Sequence, residues 1–413
     1  MDPLAITRAI ESTAANTFRL IFDPPVFTRG EGAFLFTERG EQYLDLVCGS
    51  ATTLLGHGHP AQVRAISDAL ASGILHTGTR LLSPYRAALY ERLIDVLPAH
   101  LDAVHLANSG AEAIETAIKA AMYTTGRRRF IAFEGGYHGR TLGALALTHS
   151  NAIRTPFEPW QDPWVSFAPY ACNDAEAPEA LAALDRLLAG AEERPYAGIV
   201  IEAVQGVSGV RGPSTEFLAG VAKRARHHGA LLIADEIWSG LGRAGRWFSF
   251  QHAGMEPDLV VLGKALSASL PLSAVAGRAA LLRQWPAGSH TSTFQGNPLA
   301  TAAAVATLRT IQDEGLVERA AALIAPTLHD GLAGLSGVRV VGAQAAVDLP
   351  SSALCLEVQR KALTTERILV YGGGLAGQSL MILPPLTISL PDLQHALSRL
   401  RAIILRQVQR QES

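Results

Sequence analysis

Between about residues 60 and 300, short apolar segments alternate with longer segments of helical spacing, and this alternation restricts the fold more than any other feature. The apolar segments end in polar or glycine-rich sequence. They lie at 103–107, 129–133, 198–202, 231–235 and 259–262. Short buried strands separated by helices are typical of a mainly parallel sheet that is covered on both faces. We therefore predict an α/β fold with such a sheet flanked by helices.

The N-terminal end of the chain has a different pattern. Residues 1–50 are predicted to begin with a helix and to continue as short strands near Ala33–Phe36 and Gln42–Leu46, which are separated by glycines. A chain of this length exceeds what one hydrophobic core usually serves. We therefore expect residues 1–58 to join a smaller domain, and residues 59–305 to form the large α/β domain.

The C-terminal part, residues 306–413, is predicted to be a smaller α+β domain. An alanine-rich helix that runs through Thr310 leads into it. Strands are expected near Val338–Val341 and Ala353–Glu357, and a closing helix from Pro391 to Gln407. The two ends of the chain are expected to fold together beside the large domain.

Charge and cysteine content exclude several classes of protein. The 35 basic and 37 acidic side chains nearly cancel, so no overall field attracts nucleic acid or an anionic membrane. The three cysteines, Cys48, Cys172 and Cys355, are far apart, and their spacing predicts neither a disulfide framework nor a metal site. No secretory signal is apparent, and no apolar run approaches the ~20 residues of a membrane span. We expect a cytoplasmic enzyme.

Polar clusters follow four of the predicted strands, at the position where open α/β sheets bind ligands. The first, Asn108–Glu112, leads from a strand into a helix, so its N–H groups, serine hydroxyl and glycine suit a phosphate, although the same sequence is also an ordinary helix cap. The second, Phe133–Thr141, combines paired glycines with Tyr137, whose ring either lies against a planar ligand or is half-buried beside a tight turn. Arg140 either binds a carboxylate or pairs with a structural acid.

The other two clusters place ionisable groups at the ends of apolar strands. Asp235 needs a partner if it is buried, and a protonated ring nitrogen would be one, unless it caps the next loop. Lys264 either lies at the surface or is partly desolvated, which lowers its pKa and prepares it to form a Schiff base. Together the clusters supply a phosphate cradle, a ring-stacking aromatic, an acid for a pyridine nitrogen and a lysine for an aldehyde. This combination predicts an enzyme that uses pyridoxal 5′-phosphate (PLP).

With these motifs in place, the sequence resembles the class III (ω-amino acid) aminotransferases, which are PLP enzymes of fold type I. The resemblance runs from about residue 25 nearly to the C-terminus. The segments that carry it are Ser109–Ala113, Gly136–Thr141, Asp235–Ile237, Ser239–Arg243, Gly263–Leu266, Thr293–Ala300 and Pro384–Leu386. The resemblance implies a mainly parallel, seven-stranded type of sheet, a small α+β domain built from both chain ends, and a homodimer with shared active sites.

The resemblance also implies roles for individual residues. It makes Lys264 the residue that forms the Schiff base with PLP and Asp235 the partner of the ring nitrogen, and these are the two expected catalytic residues. Thr293 would reach the phosphate that is bound by the neighbouring subunit. The other residues expected at the cofactor are Ser109, Gly110 and Ala111 at the phosphate, Tyr137 on the pyridine face, the acidic Glu202 nearby, and His138, Ile237 and Trp238.

Two positions depart from the pattern of the family. Many members alternate between two substrates with an arginine that precedes the Pro-Pro-Leu motif and a glutamate that follows a Gln-Gly pair, but this chain has Met381 and Val207 there. Because both positions are apolar, we expect a more apolar pocket that lacks the usual partner for a 2-oxoglutarate carboxylate. Arg140 is left as the best candidate for binding a carboxylate.

A third departure is Trp238, which stands where the family usually has glutamine or a small aliphatic residue. Its indole is expected either to narrow the pocket or to contact the phenolic oxygen of the cofactor through its N–H. The residues expected on the substrate side are Arg140, Trp238, Val207, Met381 and Ser50.

The leading functional hypothesis is amino transfer from an amino acid or primary amine to a 2-oxo acid such as pyruvate. The alternative is an amino-acid epimerase, racemase or aminomutase of the same family, which handles one substrate at a time and would not need the missing gate. A third possibility is a catalytically silent relative that binds a partner protein. The presence of both Lys264 and Asp235 argues against the silent relative.

Overall fold

The computed structural model describes residues 24–160, 164–191, 193–212 and 214–412, together with Thr7. Apart from Thr7, the helix predicted at the start of the chain lies outside the described residues. The strands in the described ranges are β1 Phe27–Glu31, β2 Phe34–Thr37, β3 Gln42–Asp45, β4 Ala103–Ala107, β5 Arg129–Phe133, β6 Val165–Ala168, β7 Tyr196–Ile201, β8 Leu231–Asp235, β9 Leu259–Leu262, β10 Ser273–Gly277, β11 Arg339–Val340, β12 Ala345–Asp348, β13 Ile368–Leu369, β14 Tyr371–Gly373 and β15 Ser379–Ile382.

The α-helices cover both faces of the central sheet and close the C-terminal part. They are α1 Pro60–Ala71, α2 Pro84–Val96, α3 Gly110–Thr125, α4 Leu142–Leu147, α5 Asn151–Arg154, α6 Ala177–Ala189, α7 Thr215–His228, α8 Ala279–Leu282, α9 Pro298–Asp313, α10 Leu316–Arg319, α11 Ala325–Leu332, α12 Ser352–Glu366 and α13 Leu390–Glu412. A π-helical segment joins α10 to α11, and the turn Cys48–Ala51 has a positive φ angle at all four residues. Such left-handed turns are costly for residues other than glycine.

A seven-stranded sheet forms the centre of the molecule, in the order β4-β10-β9-β8-β7-β5-β6. Strand β10 is antiparallel to both β4 and β9, and the other neighbouring strands are parallel. Strands β4 and β9 therefore point the same way, and every strand except β10 shares one direction. The predicted mainly parallel sheet flanked by helices is confirmed, whereas β6 and β10 were not predicted from the sequence.

Both faces of this sheet are buried, which explains why its strands are apolar throughout. Along β5, Phe130 and Ala132 pack with residues of α3 such as Ile114, whereas Ile131 and Phe133 belong to the core on the opposite face. Successive side chains of a strand point to opposite faces, so each face requires its own layer of helices.

Helix α3 carries the first polar cluster and has clear signals at both ends. The hydroxyl of Ser109 accepts a hydrogen bond from the backbone N–H of Glu112, and Gly126 ends the helix with a φ angle of 67°. A glycine adopts this left-handed conformation without a steric penalty. The helix therefore starts directly after β4 and presents its N-terminus to the edge of the sheet.

One predicted strand is wrong. Ala353–Glu357 lies in helix α12 rather than in a strand. The hydroxyl of Ser351 caps this helix by accepting from the N–H of Leu354, and Leu354 and Val358 are buried one helical turn apart. A five-residue apolar run is too short for periodicity alone to separate a strand from a helix.

Two smaller four-stranded sheets contain the remaining strands, in the orders β1-β2-β3-β13 and β11-β12-β15-β14. The parallel pairing of β13 with β3 connects the C-terminal part of the chain to its N-terminal strands. We retain as a proposal the division into a large domain, residues 59–305, and a small domain built from residues 1–58 and 306–413. No helix within the described ranges is long and apolar enough to cross a membrane.

Candidate active site

The polar clusters meet at one edge of the central sheet, because the strands that they follow point in the same direction. Strands β4, β5, β7, β8 and β9 all end there. A cavity of about 270 Å³ lies at this edge. It is lined by Gly110, Ala111, Tyr137, His138, Gly139, Arg140, Glu202, Val207, Asp235, Ile237, Trp238 and Lys264.

Lys264 follows β9 after a single glycine and extends into the cavity. Its φ angle is +37°, a conformation that residues other than glycine seldom adopt and that recurs at active sites. Burial lowers the pKa of Lys264 to about 8, and the negative charges of Asp235 and Glu202 oppose this effect. At neutral pH, a larger fraction of this amine is therefore uncharged than for an exposed lysine.

Asp235 ends β8 and is held by two donors. Its Oδ2 lies 2.8 Å from Nδ1 of His138, and its Oδ1 accepts a hydrogen bond of 3.0 Å from the backbone N–H of Ile237. Burial by itself lowers the pKa of His138, but the hydrogen bond and charge of Asp235, with the charge of Glu202, raise it above the usual value. The imidazole is thus a suitable donor to the aspartate, whose carboxylate lines the cavity.

Glu202 follows β7 and joins two loops that border the cavity. One carboxyl oxygen accepts a hydrogen bond of 2.7 Å from the N–H of Tyr137, and the other accepts one of 3.2 Å from the N–H of Gly206. The side chain is buried, and this burial raises its pKa to about 7. Glu202 therefore titrates near neutral pH, close to both Lys264 and Asp235.

The start of α3 forms one wall of the cavity. A Cβ atom at Gly110 would lie 2.9 Å from the end of the Ile237 side chain, so any larger residue there would displace Ile237. Ser109 does not line the cavity, and its hydroxyl is occupied as the cap of α3. The cap uses Ser109 as an acceptor only, so its O–H group can still donate, and its contact with a phosphate stays a prediction.

Arg140 and Tyr137 lie together at the exposed mouth of the cavity. The Nε–H group of Arg140 donates a hydrogen bond of 3.2 Å to the hydroxyl oxygen of Tyr137. Both residues line the cavity, so a cation and a half-buried aromatic ring stand side by side at its entrance.

Trp238 lines the cavity and is fixed in place by two contacts. A Cβ atom at Gly206 would lie 2.3 Å from the indole ring, so the ring rests directly on the backbone at that glycine. The indole N–H donates a hydrogen bond of 3.0 Å to Oε1 of the buried Gln344. This N–H is therefore bonded within the protein, and the two interpretations of Trp238 given above both stay predictions.

The two residues at the gate positions of the family, Val207 and Met381, also have apolar neighbours in the structure. Val207 lines the cavity, and Met381 on β15 is fully buried in an apolar cluster that includes Trp238 and Ala51. Met381 and Ser50 do not themselves line the cavity, but Ser50 belongs to the left-handed turn that carries Ala51.

Thr293 lies in the exposed loop between α8 and α9 and does not line the cavity of its own chain. The preceding residue, Ser292, accepts a hydrogen bond of 2.6 Å from the side-chain amide of Asn108. This bond attaches the loop to the segment that leads into α3.

Sequence reasoning missed the partners that hold Trp238. Gln344 is 106 residues away in the chain and gives no local signal. Gly206 offered a usable signal, because a glycine next to a pocket residue often marks a close approach of a side chain or ligand to the backbone.

The cavity fits PLP on the chemistry of its side chains. Lys264 supplies an amine of lowered pKa for the aldehyde, and Asp235 has an acceptor oxygen at the cavity for a ring N–H. The start of α3 offers backbone N–H groups of the kind that bind phosphate, next to Gly110. An α/β fold with these groups at its strand ends defines a PLP-dependent enzyme of fold type I.

The chain belongs to the class III aminotransferases, since the family model Aminotransferase class-III matches residues 21–404. The acetylornithine aminotransferase of Archaeoglobus fulgidus is 38% identical over 296 residues, which cover 72% of this chain and 75% of that protein. Acetylornithine aminotransferase 1 of Bordetella parapertussis is 34% identical over 400 residues, covering 91% and 98%. In fold, the chain is similar to a transaminase from the marine bacterium Virgibacillus, with a TM-score of 0.91, 20% identity and coverage of 98% and 99%. The protein is therefore a PLP-dependent aminotransferase, and its relatives give no support to the isomerase alternative.

Proposed function

We propose that Lys264 is the residue that carries PLP and moves the proton during amino transfer. The observation behind this proposal is that the cavity brings together Lys264, with its lowered pKa, and Asp235, which is held by two donors. When bound, PLP supplies the aldehyde that takes the amino group and the ring that accepts electrons from the reacting carbon.

Asp235 and His138 are proposed to act as a pair. The aspartate would accept the ring N–H of the cofactor, and His138 would hold the carboxylate in the orientation that this contact requires. The raised pKa of His138 favours the charged imidazolium, which strengthens its hydrogen bond to the carboxylate. Gly110, Ala111 and the start of α3 would bind the phosphate.

Lys264 is proposed to accept a proton from the Cα atom of the donor when its amine is free. A base is most effective when its pKa lies near the working pH, and about 8 meets this requirement. Tyr137 and Ile237 line the cavity and would lie against the two faces of the ring. Glu202 would set the position of Tyr137 through its hydrogen bond to the backbone.

The substrates are an amino donor and a 2-oxo acid acceptor. We propose that Arg140 binds the carboxylate of either substrate at the cavity mouth, and that Val207 and Trp238 favour an apolar substrate chain on the other side. Acetylornithine, which appears in the names of both relatives, is one donor to test, because it carries a terminal amine and a carboxylate.

A spectroscopic experiment tests this assignment. Adding an amino donor alone is expected to remove the absorbance of the Schiff base between the cofactor and its lysine. A 2-oxo acid such as pyruvate is expected to restore this absorbance. Borohydride reduction of the resting enzyme should attach the cofactor to Lys264, identified by mass spectrometry of peptides. The chain has only four lysines, so the attachment site is unambiguous.

Matched variants complete the test. Lys264→Ala should lower the rate by roughly 10²–10⁴-fold or more, since both cofactor attachment and proton transfer are lost. Lys223→Ala, on α7 and outside the cavity, should retain the rate of the unaltered enzyme. Attachment of the cofactor to a different lysine, or full activity of Lys264→Ala, would show that the assignment is wrong.

We further propose that the enzyme is a homodimer. Its described surface carries an apolar patch, which we call the 74–82 patch, formed by Ile74, Leu75, Leu81, Leu82 and Phe294, with exposed fractions between 37% and 94%. Leu82 is the most exposed of these, at 94%. Phe294 is adjacent to Thr293, so a second copy covering this patch would contact the segment of Thr293, which the family resemblance places at the phosphate of the neighbouring subunit. Large apolar side chains exposed in this number are typical of an interaction site.

Light scattering tests the dimer. The unaltered enzyme should have twice the chain mass of 43.8 kDa. The double variant Leu82→Glu/Phe294→Glu should dissociate, while Leu405→Glu, on the exposed side of α13, should not. A monomeric unaltered enzyme would exclude the proposal.

We also propose that the enzyme works in the cytoplasm. The three cysteines are free thiols, two of them buried, which is the state that a reducing compartment maintains. Cell fractionation with an antibody against the full chain tests this location.

A further inference from the structure

The amino group of Lys264 lies over the face of the Trp238 indole, 4.3 Å from the ring centroid. Among the residues that the structure describes, Lys264 has no side-chain hydrogen bond or ion pair, so the indole is the group with the best-defined electrostatic contact to its Nζ. The face of an indole carries negative electrostatic potential and attracts a cation placed within about 6 Å of its centre. The contact therefore has the geometry of a cation–π interaction.

The ring is held so that it cannot move away easily. Its N–H is bonded to the buried Gln344, and the backbone at Gly206 supports it closely. Trp238 itself is only 6% exposed. An aromatic ring fixed by a hydrogen bond and a packing contact gives a defined position to whatever binds its face.

The charged groups around Lys264 are few. The carboxyl groups of Asp235 and Glu202 lie near it and favour its ammonium form. His138 lies beyond Asp235 and is bonded to it, and Arg140 is at the mouth of the same cavity. None of these groups forms an ion pair with Nζ of Lys264. The indole face of Trp238 therefore provides a direct electrostatic contact with this amine, which the two carboxylates do not.

We propose that Trp238 is a positioning residue that holds the amino group of Lys264 against its indole face whenever that amine is not bonded to the cofactor. This inference rests on the proposed role of Lys264. The free amine must take up a proton from the substrate and deliver it again. A fixed ring that binds the ammonium form gives the protonated amine one position within the cavity, rather than several.

The proposal predicts the direction in which the pKa of Lys264 changes when the ring is altered. Burial lowers the pKa of Lys264, and the ring opposes this lowering because it attracts the ammonium form and not the neutral amine. Weakening the negative potential of the ring without changing its shape should therefore lower the pKa further. Replacing Trp238 by leucine does not test this cleanly, since a smaller side chain also admits water.

The experiment uses fluorinated tryptophans, which keep the shape of the indole and weaken the potential of its face. Trp238 is replaced site-specifically by 5-fluorotryptophan and by 5,7-difluorotryptophan. Trace labelling of the cofactor-free full chain with acetic anhydride across pH 5–10 then gives a titration midpoint for each lysine by mass spectrometry. The midpoint of Lys264 should fall stepwise, by about half a pH unit in total. The exposed Lys223 is the internal reference and should not shift.

Displacement of the ring is the matched control. In Gly206→Ala the new Cβ would lie 2.3 Å from the indole, so the ring must leave its place, and the effect of fluorine on Lys264 should disappear. In Gly212→Ala the new Cβ meets its nearest neighbour at 3.4 Å, an ordinary contact, and the effect should remain. An unchanged midpoint along the fluorine series, or an equal effect in Gly206→Ala, would overturn the proposal.

The two proposals fail in different ways. If borohydride attaches the cofactor to another lysine, the function proposed for Lys264 is wrong and this inference fails with it. If the cofactor is attached to Lys264 but fluorination leaves its midpoint unchanged, only the role of Trp238 is excluded. A lowered midpoint should also move the pH profile of the donor half-reaction in the same direction, which a merely structural role of Trp238 would not do.

Discussion

The Nδ1 atom of His138 lies 2.8 Å from a carboxyl oxygen of Asp235, and both side chains are almost completely buried. The second oxygen of Asp235 accepts from the backbone N–H of Ile237. A buried carboxylate with two fixed donors has little freedom to rotate, so its remaining lone pairs keep one direction toward the cavity. If Asp235 receives the cofactor as proposed, His138 acts on cofactor binding through the orientation of that carboxylate.

Removing His138 should therefore weaken PLP binding. In His138→Leu the aspartate loses a hydrogen bond between charged groups, worth about 1.5–3 kcal/mol, which corresponds to roughly a 10–100-fold higher Kd. His138→Asn retains a donor and should recover part of the affinity. Absorbance titration of the cofactor-free enzyme measures both values. The exposed His395→Ala is the control, and unaltered affinity of His138→Leu would contradict the prediction.

The raised pKa of Glu202 predicts a pH-dependent stability. The ordinary value is 4.5 and the folded value is about 7, so between these the folded chain binds more protons than the unfolded chain. The contribution of Glu202 is therefore most favourable below pH 4.5 and is lost as the pH rises to about 7, by up to ~3 kcal/mol. Glu202→Gln cannot titrate, so its stability relative to the unaltered chain should increase from pH 5 to pH 8.

Urea unfolding of the two cofactor-free proteins at both pH values measures this difference. Burial also raises the pKa of Glu236 to about 7, but that residue is present in both proteins and cancels in the comparison. A constant difference between the two proteins at pH 5 and pH 8 would refute the prediction.

The meeting of Asp235 and Lys264 in one cavity was predictable because each is a local feature of the chain. Asp235 and Lys264 each end or follow a short apolar strand, and parallel strands bring their carboxyl ends to one edge regardless of distance in sequence. The alternation of strands and helices thus places these residues together without knowledge of any contact. Their pKa values and donors were not predictable, because they depend on burial and on neighbours such as His138.

The substrate side could not be predicted in the same way. The hydrogen bond between Trp238 and Gln344 joins the central sheet to the C-terminal part of the chain, and no pattern near either residue indicates it. The error at Ala353–Glu357 has a related cause. Whether this short apolar run forms a helix or a strand depends on its cap, Ser351, and on the core against which it packs, rather than on its own composition.

The apolar gate predicts how the enzyme responds when a charge is restored. Met381→Arg places a cation in a fully buried apolar cluster and should destabilise the fold by about 3–5 kcal/mol. Adding Val207→Glu should recover part of this loss by pairing the charge. Met381→Leu conserves volume and should cost less than about 1.5 kcal/mol. Urea unfolding measures the series, and a double variant no more stable than Met381→Arg would show that the two positions do not interact.

If Arg140 binds the substrate carboxylate, its removal should raise KM for donors that carry a carboxylate and not for donors that lack one. Its guanidinium stands at the cavity mouth, with Nε bonded to the hydroxyl of Tyr137. Arg140→Ala should raise KM for 4-aminobutyrate by roughly 10–100-fold, the loss expected for a charged hydrogen bond, and leave KM for butylamine unchanged. Arg140→Lys keeps the charge but not the paired geometry and should be intermediate. The exposed Arg128→Ala should change neither KM value. An equal rise for both donors would show that Arg140 orients Tyr137 and does not bind the carboxylate, because a donor without a carboxylate loses no ion pair when the guanidinium is removed.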